Sequence, residues 1–189
     1  MFKNIPPVTK NILILNIGLW LVSYFMLSSN VNLISELGSY YFNSPNFRPY
    51  QIVTHFFMHS FGFWHILMNM FLLLMFGAHL ERVWGSKRFF LFYILSAMGA
   101  LALYNGIGVY QISELQNQLT ALGYNLSDVN RGLMNDLPFR YNPGDVAILK
   151  KYGEMINTPM VGASGAVFGL LAGFAMLFPN TELMLLFPP

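Results

Sequence analysis

The sequence predicts an all-α membrane protein, in which a bundle of transmembrane helices forms the fold. Only 10% of its 189 residues are charged and 55% are hydrophobic, whereas a soluble domain carries roughly 25% charged residues. Four long segments contain no Asp, Glu, Lys or Arg: residues 11–35, 49–80, 89–113 and 155–181. Each can hold the roughly 20 apolar residues that cross a bilayer as a helix, which satisfies its own backbone in lipid.

The predicted spans lie near residues 11–29, 63–80, 89–108 and 160–178, within one membrane domain that covers residues 1–189. The absence of cysteine excludes disulfide bonds, thiolate chemistry and cysteine-ligated zinc. The net charge of +2 is too small to indicate nucleic acid as a partner. The partner that this composition predicts is the lipid bilayer.

The distribution of basic residues predicts the orientation of the helices. Five of them lie before the first span or in the short connection between the second and third spans: Lys3, Lys10, Arg82, Lys87 and Arg88. The connection between the first two spans holds only Arg48. Because basic residues in short loops favour the cytoplasm, we expect a cytoplasmic N-terminus and an external connection over residues 109–158.

The first connection is rich in aromatic residues, which suit the headgroup region of a bilayer. These residues are Tyr40, Tyr41, Phe42, Phe47 and Tyr50. We therefore expect a structured outer loop that is partly embedded in the membrane.

The long third connection is expected to contain two short helices. In "ISELQNQLTALG" the residues Ile112, Leu115, Leu119 and Leu122 fall at helical spacing, and Gly123 can end the helix. The second short helix is expected over "GDVAILKKYG". A single apolar stripe on a polar helix indicates that it lies on a surface of lipid or protein.

All four histidines fall within 25 residues: His55, His59, His65 and His79. His65 and Asn69 are four residues apart, so they share one face of the second span. Polar groups in a span either join helices by hydrogen bonds or serve chemistry in a wet cavity, and both interpretations are open here. The metalloprotease pattern H-E-x-x-H is absent, and we expect neither a metal nor a cofactor.

The segment "GASGAVFG" allows two interpretations of Ser164. Gly165, Gly169 and Gly173 are spaced by four and form a glycine ribbon typical of close helix packing, which Ser164 could merely extend. Alternatively, Ser164 is a nucleophile in surroundings small enough for a substrate carbonyl to approach. From the predicted starts of the two spans, Ser164 lies roughly 6 Å and Asn69 roughly 9 Å below the outer surface, so the two can meet.

These motifs resemble those of the rhomboid family of intramembrane serine proteases. "GASGAVFG" is similar to the G-x-S-G-A-x-x-G motif of that family, and "HILMNM" is similar to its H-x-x-x-N on the second span. "FGAHLE", with Gly77 and Glu81, resembles its G-x-x-x-E at the inner end of that span. The resemblance covers the chain from about residue 47 onward, and three motifs in the order of the family make it specific.

The resemblance implies a serine–histidine dyad within the membrane, with Ser164 as the nucleophile. The backbone N–H of Ser164 and the side chains of His65 and Asn69 would hold the oxyanion. Phe168 would replace an aromatic residue that packs on the base. The supporting residues would be Gly162, Gly165 and Glu81.

The same resemblance implies that the substrates are single-span membrane proteins, cut at small residues near the outer membrane face. The expected location is the inner membrane of a bacterium. An alternative is a rhomboid-like pseudoprotease, which binds membrane clients without cleaving them. A transporter or assembly subunit would leave the three motifs unexplained.

The sequence also differs from the family pattern. The family often has a histidine five residues before the position of His65, whereas His59 stands six before it, and the Trp-Arg pair of the outer loop is absent. The base of the family is a histidine on a sixth span, and no histidine follows Ser164 here. We therefore expect a fragment of about four spans out of six, inactive alone, whose glycine ribbon lacks its packing partner.

Overall fold

The computed structural model describes residues 5–135 and 137–181, and it confirms the all-helical fold class. The α-helices of these residues are α1 (Pro7–Leu27), α2 (Leu33–Leu37), α3 (Gln51–Thr54), α4 (Phe63–Trp84), α5 (Ser86–Ala121), α6 (Leu126–Asn135), α7 (Val146–Asn157) and α8 (Ser164–Leu177). Helix α4 contains a π-helical turn over Leu73–Gly77. Short 3₁₀ turns cover His55–Phe57 and Pro143–Asp145.

Three helices of the described residues, α1, α4 and α5, are long and apolar enough to cross a membrane. The protein is thus a multi-pass integral membrane protein. Helix α1 begins at Pro7 rather than near residue 11, because proline is favoured in the first turn and because Glu81 accepts the N–H groups of Val8 and Thr9.

Helix α5 continues well past residue 108, where its span was predicted to end. Its buried positions recur every three or four residues along its whole length: Phe89, Tyr93, Ala97, Leu101, Asn105, Gly108, Ile112, Leu115 and Leu119. The helical spacing of "ISELQNQLTALG" was therefore interpreted correctly, but it belongs to the span helix and not to a separate one. Leu122 lies just beyond the helix end and is exposed, and Gly123 follows with a φ of +87°.

The predicted loop over residues 109–158 is largely helical, because the outer part of α5 packs with α6 and α7 around a second hydrophobic core. This core contains Tyr41, Ile112, Leu115, Leu119, Val129, Leu149, Tyr152 and Ile156. Helix α7 corresponds to the helix predicted in "GDVAILKKYG". Helix α6 was not predicted, since only Val129 and Gly132 of its residues are buried and its apolar stripe is short.

The first connection is structured, but not all of its aromatic residues face lipid. Tyr41 is buried and stacks on Tyr104 of α5, with ring centroids 4.3 Å apart. The backbone of Ser39 pairs with that of Met160 through two hydrogen bonds, of 2.9 and 2.7 Å. This pairing holds the first connection against the segment that leads into α8.

Helix α8 begins at Ser164, whereas the fourth span was predicted to begin near residue 160. The residues before it are not free to be helical, because Met160 is paired with Ser39 and Gly162 has a φ of +116°. Helix α8 therefore has 14 residues, about 21 Å at 1.5 Å per residue. Ser164 is its first residue instead of lying one turn inside.

The glycine ribbon has a packing partner within the described residues, so the expectation that it lacks one is wrong. A Cβ on Gly165 would overlap Ala100, and one on Gly169 would overlap the side chain of Ser96. A Cβ on Gly173 would lie 3.1 Å from Trp84 and 3.3 Å from Phe92. The glycines let α8 approach α5 closely, and this contact fixes the position of Ser164.

Candidate active site

Ser164 occupies the first helical position of α8 and is half-buried. The N–H groups of the first turn of a helix have no acceptor within the helix, so this end of α8 carries partial positive charge. The first intrahelical bond of α8 runs from the N–H of Val167 to the carbonyl of Ala163, at 2.9 Å. An anionic oxygen beside Ser164 would thus lie at a helix end that favours negative charge.

Gly162 turns the chain into α8, and its φ of +116° lies in a region that glycine adopts without strain. Its N–H donates to the carbonyl of His55 at 3.0 Å. A Cβ on Gly162 would lie 3.1 Å from Nε2 of His65 and 3.5 Å from Oγ of Ser164. The side chains of His65 and Ser164 therefore face one small space, which the absence of a side chain at Gly162 leaves open.

The ring of His65 is held at its other nitrogen. Nδ1 of His65 lies 2.7 Å from the hydroxyl oxygen of Ser60, within hydrogen-bonding distance. The backbone carbonyl of Ser60 in turn accepts a hydrogen bond from Nε1 of Trp20 in α1, at 3.0 Å. Helix α1 thereby anchors the segment that supports His65.

Asn69 lies one turn after His65 on α4, and its side chain is 6% exposed. Its amide nitrogen donates to the backbone carbonyl of His65 at 2.8 Å. An amide carries a second N–H, so this bond leaves Asn69 one donor. The helical spacing of His65 and Asn69 was predicted, whereas the bond to the backbone was not.

His59 is fully buried beside His65, with ring centroids 5.3 Å apart. Its Nε2 accepts a long hydrogen bond, of 3.5 Å, from the N–H of Ala163. Burial, with a smaller contribution from the His65 imidazole, lowers the pKa of His59 to about 4. Burial also lowers the pKa of His55. Neutral His59 and the carbonyl of His55 thus hold the turn that precedes Ser164.

The other predicted site residues do not share the space between His65 and Ser164 in the contacts that the structure shows. Phe168 is 70% exposed, so the described residues leave most of its ring uncovered. Gly165 contacts α5 instead of lining the site. Glu81 is buried at the far end of α4, where it binds the N-terminus of α1. His79 packs on Phe174 and Phe178 near the same end.

The sequence did not identify Ser60 and Trp20 as parts of this site. Trp20 lies within an apolar span and Ser60 lies in the first connection, and neither belongs to a motif. The available indication for Ser60 was its position five residues before His65, where the family pattern that the motifs resemble often has a histidine. The bond between Ser60 and Trp20 joins residues 40 positions apart, and no local pattern predicts such a contact.

No group of three or more His, Cys, Asp or Glu side chains within residues 5–135 and 137–181 could hold a metal ion. Near Ser164 the described residues offer imidazoles and the N–H groups of a helix end, besides the hydroxyl of Ser164 itself, and the amide of Asn69 lies one turn after His65 on α4. Such a set can form and stabilise an oxyanion at an attacked carbonyl.

A family model described as the Rhomboid domain matches residues 46–189, which is well over half of the chain. The matched region includes His65, Asn69 and Ser164. No curated protein matches the chain, and no solved structure matches it.

Proposed function

Because this chain belongs to the rhomboid family, we propose that it is an intramembrane serine endopeptidase that cleaves single-span membrane proteins. Members of this family are generally serine proteases, and some of their relatives do not cleave. The proposed cut lies at small residues near the outer membrane face. We further propose that residues 1–189 form one membrane domain, since Glu81 binds the N-terminus of α1 within the same bundle.

The proposed nucleophile is Ser164. Its hydroxyl gives its proton to a base as Oγ adds to the carbonyl carbon of the scissile peptide, and the carbonyl oxygen becomes the oxyanion; that proton is the one that the leaving amine takes up. The C–N bond then breaks as the leaving amine takes up a proton, and water hydrolyses the acyl-enzyme. The backbone N–H of Ser164, Nε2–H of His65 and the second N–H of Asn69 are the proposed donors to the oxyanion. Loss of one such donor typically costs roughly 10²–10³ in rate.

The observation that carries this proposal is the convergence of two atoms on Gly162. Nε2 of His65 and Oγ of Ser164 both lie within contact distance of the place where a Cβ of Gly162 would stand. These residues are nearly 100 positions apart in the chain and lie on different helices. Packing alone would be served equally well by an apolar residue at position 65. Gly162 is thus a proposed supporting residue, and Phe168 stays the proposed aromatic residue that packs on the base.

The base in the family is a histidine on a later span, and all four histidines of residues 1–189 precede Ser164. We assign no base among residues 1–189. A serine hydroxyl is a weak nucleophile without a base, so activity has to be tested on the protein as its gene encodes it.

The test combines a fluorophosphonate probe with a single-span substrate, both applied to the protein in liposomes. We expect covalent labelling and cleavage, and we expect Ser164→Ala to abolish both. The matched control is Ser23→Ala, because Ser23 is a buried serine on α1 whose hydroxyl donates to the carbonyl of Leu19. A protein that binds the substrate without labelling or cleavage is a pseudoprotease. Cleavage that persists in Ser164→Ala refutes the assignment of the nucleophile.

A further inference from the structure

We infer that Ser60 is a positioning residue, whose hydroxyl donates to Nδ1 of His65 and so keeps the ring proton on Nε2, where it faces Ser164. This inference rests on the proposed function, in which His65 is a donor to the oxyanion. It adds a residue that the rhomboid motifs in this sequence do not include.

The first support is the geometry on both sides of the imidazole. Oγ of Ser60 lies 2.7 Å from Nδ1 of His65, while Nε2 lies 3.1 Å from the Cβ position at Gly162, beside Ser164. One ring nitrogen of His65 therefore contacts Ser60, and the other faces the reaction site. A substitution of Ser60 is thus expected to affect Ser164 through the ring of His65.

The second support is the chemistry of a neutral imidazole, which carries one N–H and one lone pair. The hydrogen bond at one nitrogen sets which group the other nitrogen presents. If Ser60 donates, Nδ1 holds the lone pair and Nε2–H points at the place of the oxyanion. If Ser60 accepts, Nε2 becomes an acceptor, and an acceptor facing an oxyanion is repulsive.

The third support is that the position of Ser60 is itself fixed. Its carbonyl accepts from Nε1 of Trp20 at 3.0 Å, which ties the segment to α1. The N–H of His65 donates to the carbonyl of Gly62 at 3.0 Å, so the ring leaves the first turn of α4 in a defined direction. The ring of His59 packs beside that of His65 at 5.3 Å and restricts its rotation.

A spectroscopic experiment tests this inference without relying on proteolysis. The protein is labelled with ¹⁵N-histidine, and the resonances of His65 are assigned by their loss in His65→Gln. We expect an unprotonated Nδ1 and a protonated Nε2 in the parent protein. Ser60→Ala should transfer part of the proton to Nδ1, and Ser60→Thr should keep the pattern of the parent. A protonated Nδ1 in the parent protein, or an unchanged ring in Ser60→Ala, overturns the inference.

A kinetic experiment tests the consequence for the reaction. Ser60→Ala should lower kcat roughly 10-fold, less than the loss of a donor outright, because the ring remains but is poorly oriented. KM should change by less than about twofold, since Ser60 does not touch the substrate. Ser60→Thr should restore most of kcat, and Ser28→Ala, which removes an exposed hydroxyl at the end of α1, should have no effect.

The two experiments separate failure of this inference from failure of the proposed function. If Ser164→Ala abolishes cleavage while Ser60→Ala cleaves at the rate of the parent, the role of Ser60 is wrong and the protease assignment stands. If the protein does not cleave but the ring of His65 responds to Ser60 as expected, the protease assignment is wrong and the control of the tautomer stands.

Discussion

The carboxylate of Glu81 accepts hydrogen bonds from the backbone N–H and the hydroxyl of Thr9, at 2.7 and 2.8 Å. It also accepts the N–H of Val8 at 3.0 Å and the hydroxyl of Ser86 at 2.7 Å. Glu81 is 2% exposed and lies in α4, while Thr9 lies in the first turn of α1 and Ser86 begins α5. One buried carboxylate therefore joins the N-termini of two other helices, which favour negative charge.

We predict that Glu81→Ala lowers the free energy of unfolding by about 3 kcal/mol, because it leaves several buried donors without an acceptor. The matched control is Glu114→Ala, which removes an exposed carboxylate from the outer part of α5. It should change the free energy of unfolding by less than about 0.5 kcal/mol. Thermal unfolding in detergent measures both. Equal midpoints for the two variants would contradict the role of Glu81 as a cap.

The second prediction concerns the contact between α8 and α5. Gly169→Ala should destabilise the protein by about 1–3 kcal/mol, because the added Cβ overlaps Ser96 and pushes the helices apart. Gly99→Ala on α5 is the matched control, since a Cβ there meets open space. That variant should be neutral or gain up to about 1 kcal/mol from helix propensity.

The double variant Gly169→Ala, Ser96→Gly should recover part of the stability, because it removes the side chain that Gly169→Ala overlaps. Thermal unfolding again measures the effect. If Gly169→Ala and Gly99→Ala behave alike, the glycine ribbon does not pack on α5 as described.

The third prediction concerns Asn69. Asn69→Ala should lower kcat by roughly 10², because it removes a proposed donor to the oxyanion. Asn16→Ala is the matched control, since the amide of Asn16 makes the same bond to the carbonyl four residues earlier, that of Ile12 at 2.7 Å. Single-turnover cleavage, with thermal unfolding to verify the fold, compares them. If both variants cleave like the parent protein, Asn69 serves helix packing alone.

The fourth prediction concerns stability at acidic pH. His59 has a pKa of about 4 in the folded protein, against 6.5 as its ordinary value. Between pH 6.5 and about pH 4 the unfolded chain binds more protons at His59 than the folded protein does, so the free energy of unfolding falls as the pH falls. The contribution of His59 is at most about 3 kcal/mol, at about 1.4 kcal/mol per pH unit.

His59→Gln should reduce the difference between the unfolding temperatures at pH 7 and pH 5, because an amide can accept the N–H of Ala163 and does not titrate. Burial also lowers the pKa of His55, so part of the dependence on pH should remain. If the unfolding temperature changes equally between pH 7 and pH 5 in the variant and in the parent protein, protonation of His59 does not destabilise the fold and the prediction is wrong.

The fifth prediction concerns topology. Residues 85–88 should face the cytoplasm and the outer part of α5 should face the outside, as the basic residues predict. The single-cysteine variants Lys87→Cys and Asn117→Cys, at positions that are both exposed and outside the site, can be probed in intact cells with an impermeant thiol reagent. We expect labelling at position 117 only. Labelling at position 87 alone would invert the assignment.

Much of the site could be predicted from the sequence, because the responsible rules are local. His65 and Asn69 share a face because a helix repeats every 3.6 residues. The glycines around Ser164 indicate close approach, and the structure places Gly162, His65 and Ser164 around one space. The start of α8 was missed, because the pairing of Met160 with Ser39 depends on a segment more than 100 residues away.

Composition and charge pattern are sufficient to predict that the chain spans a membrane as helices. A bilayer tolerates few charges and no unpaired backbone, so the charge-free segments show where helices lie. The sequence also determined which polar residues are candidates for chemistry, because such residues are rare in apolar segments.

The partners of those residues follow from the packing of the helices and could not be predicted. The tertiary structure pairs Glu81 with Thr9, Ser60 with His65 and Trp20, and the glycine ribbon with α5. Most of these contacts join residues tens of positions apart, and they form only when helices pack at one distance and one rotation. The periodicity of a single helix shows which face is buried, but it carries no information about the neighbour that covers that face.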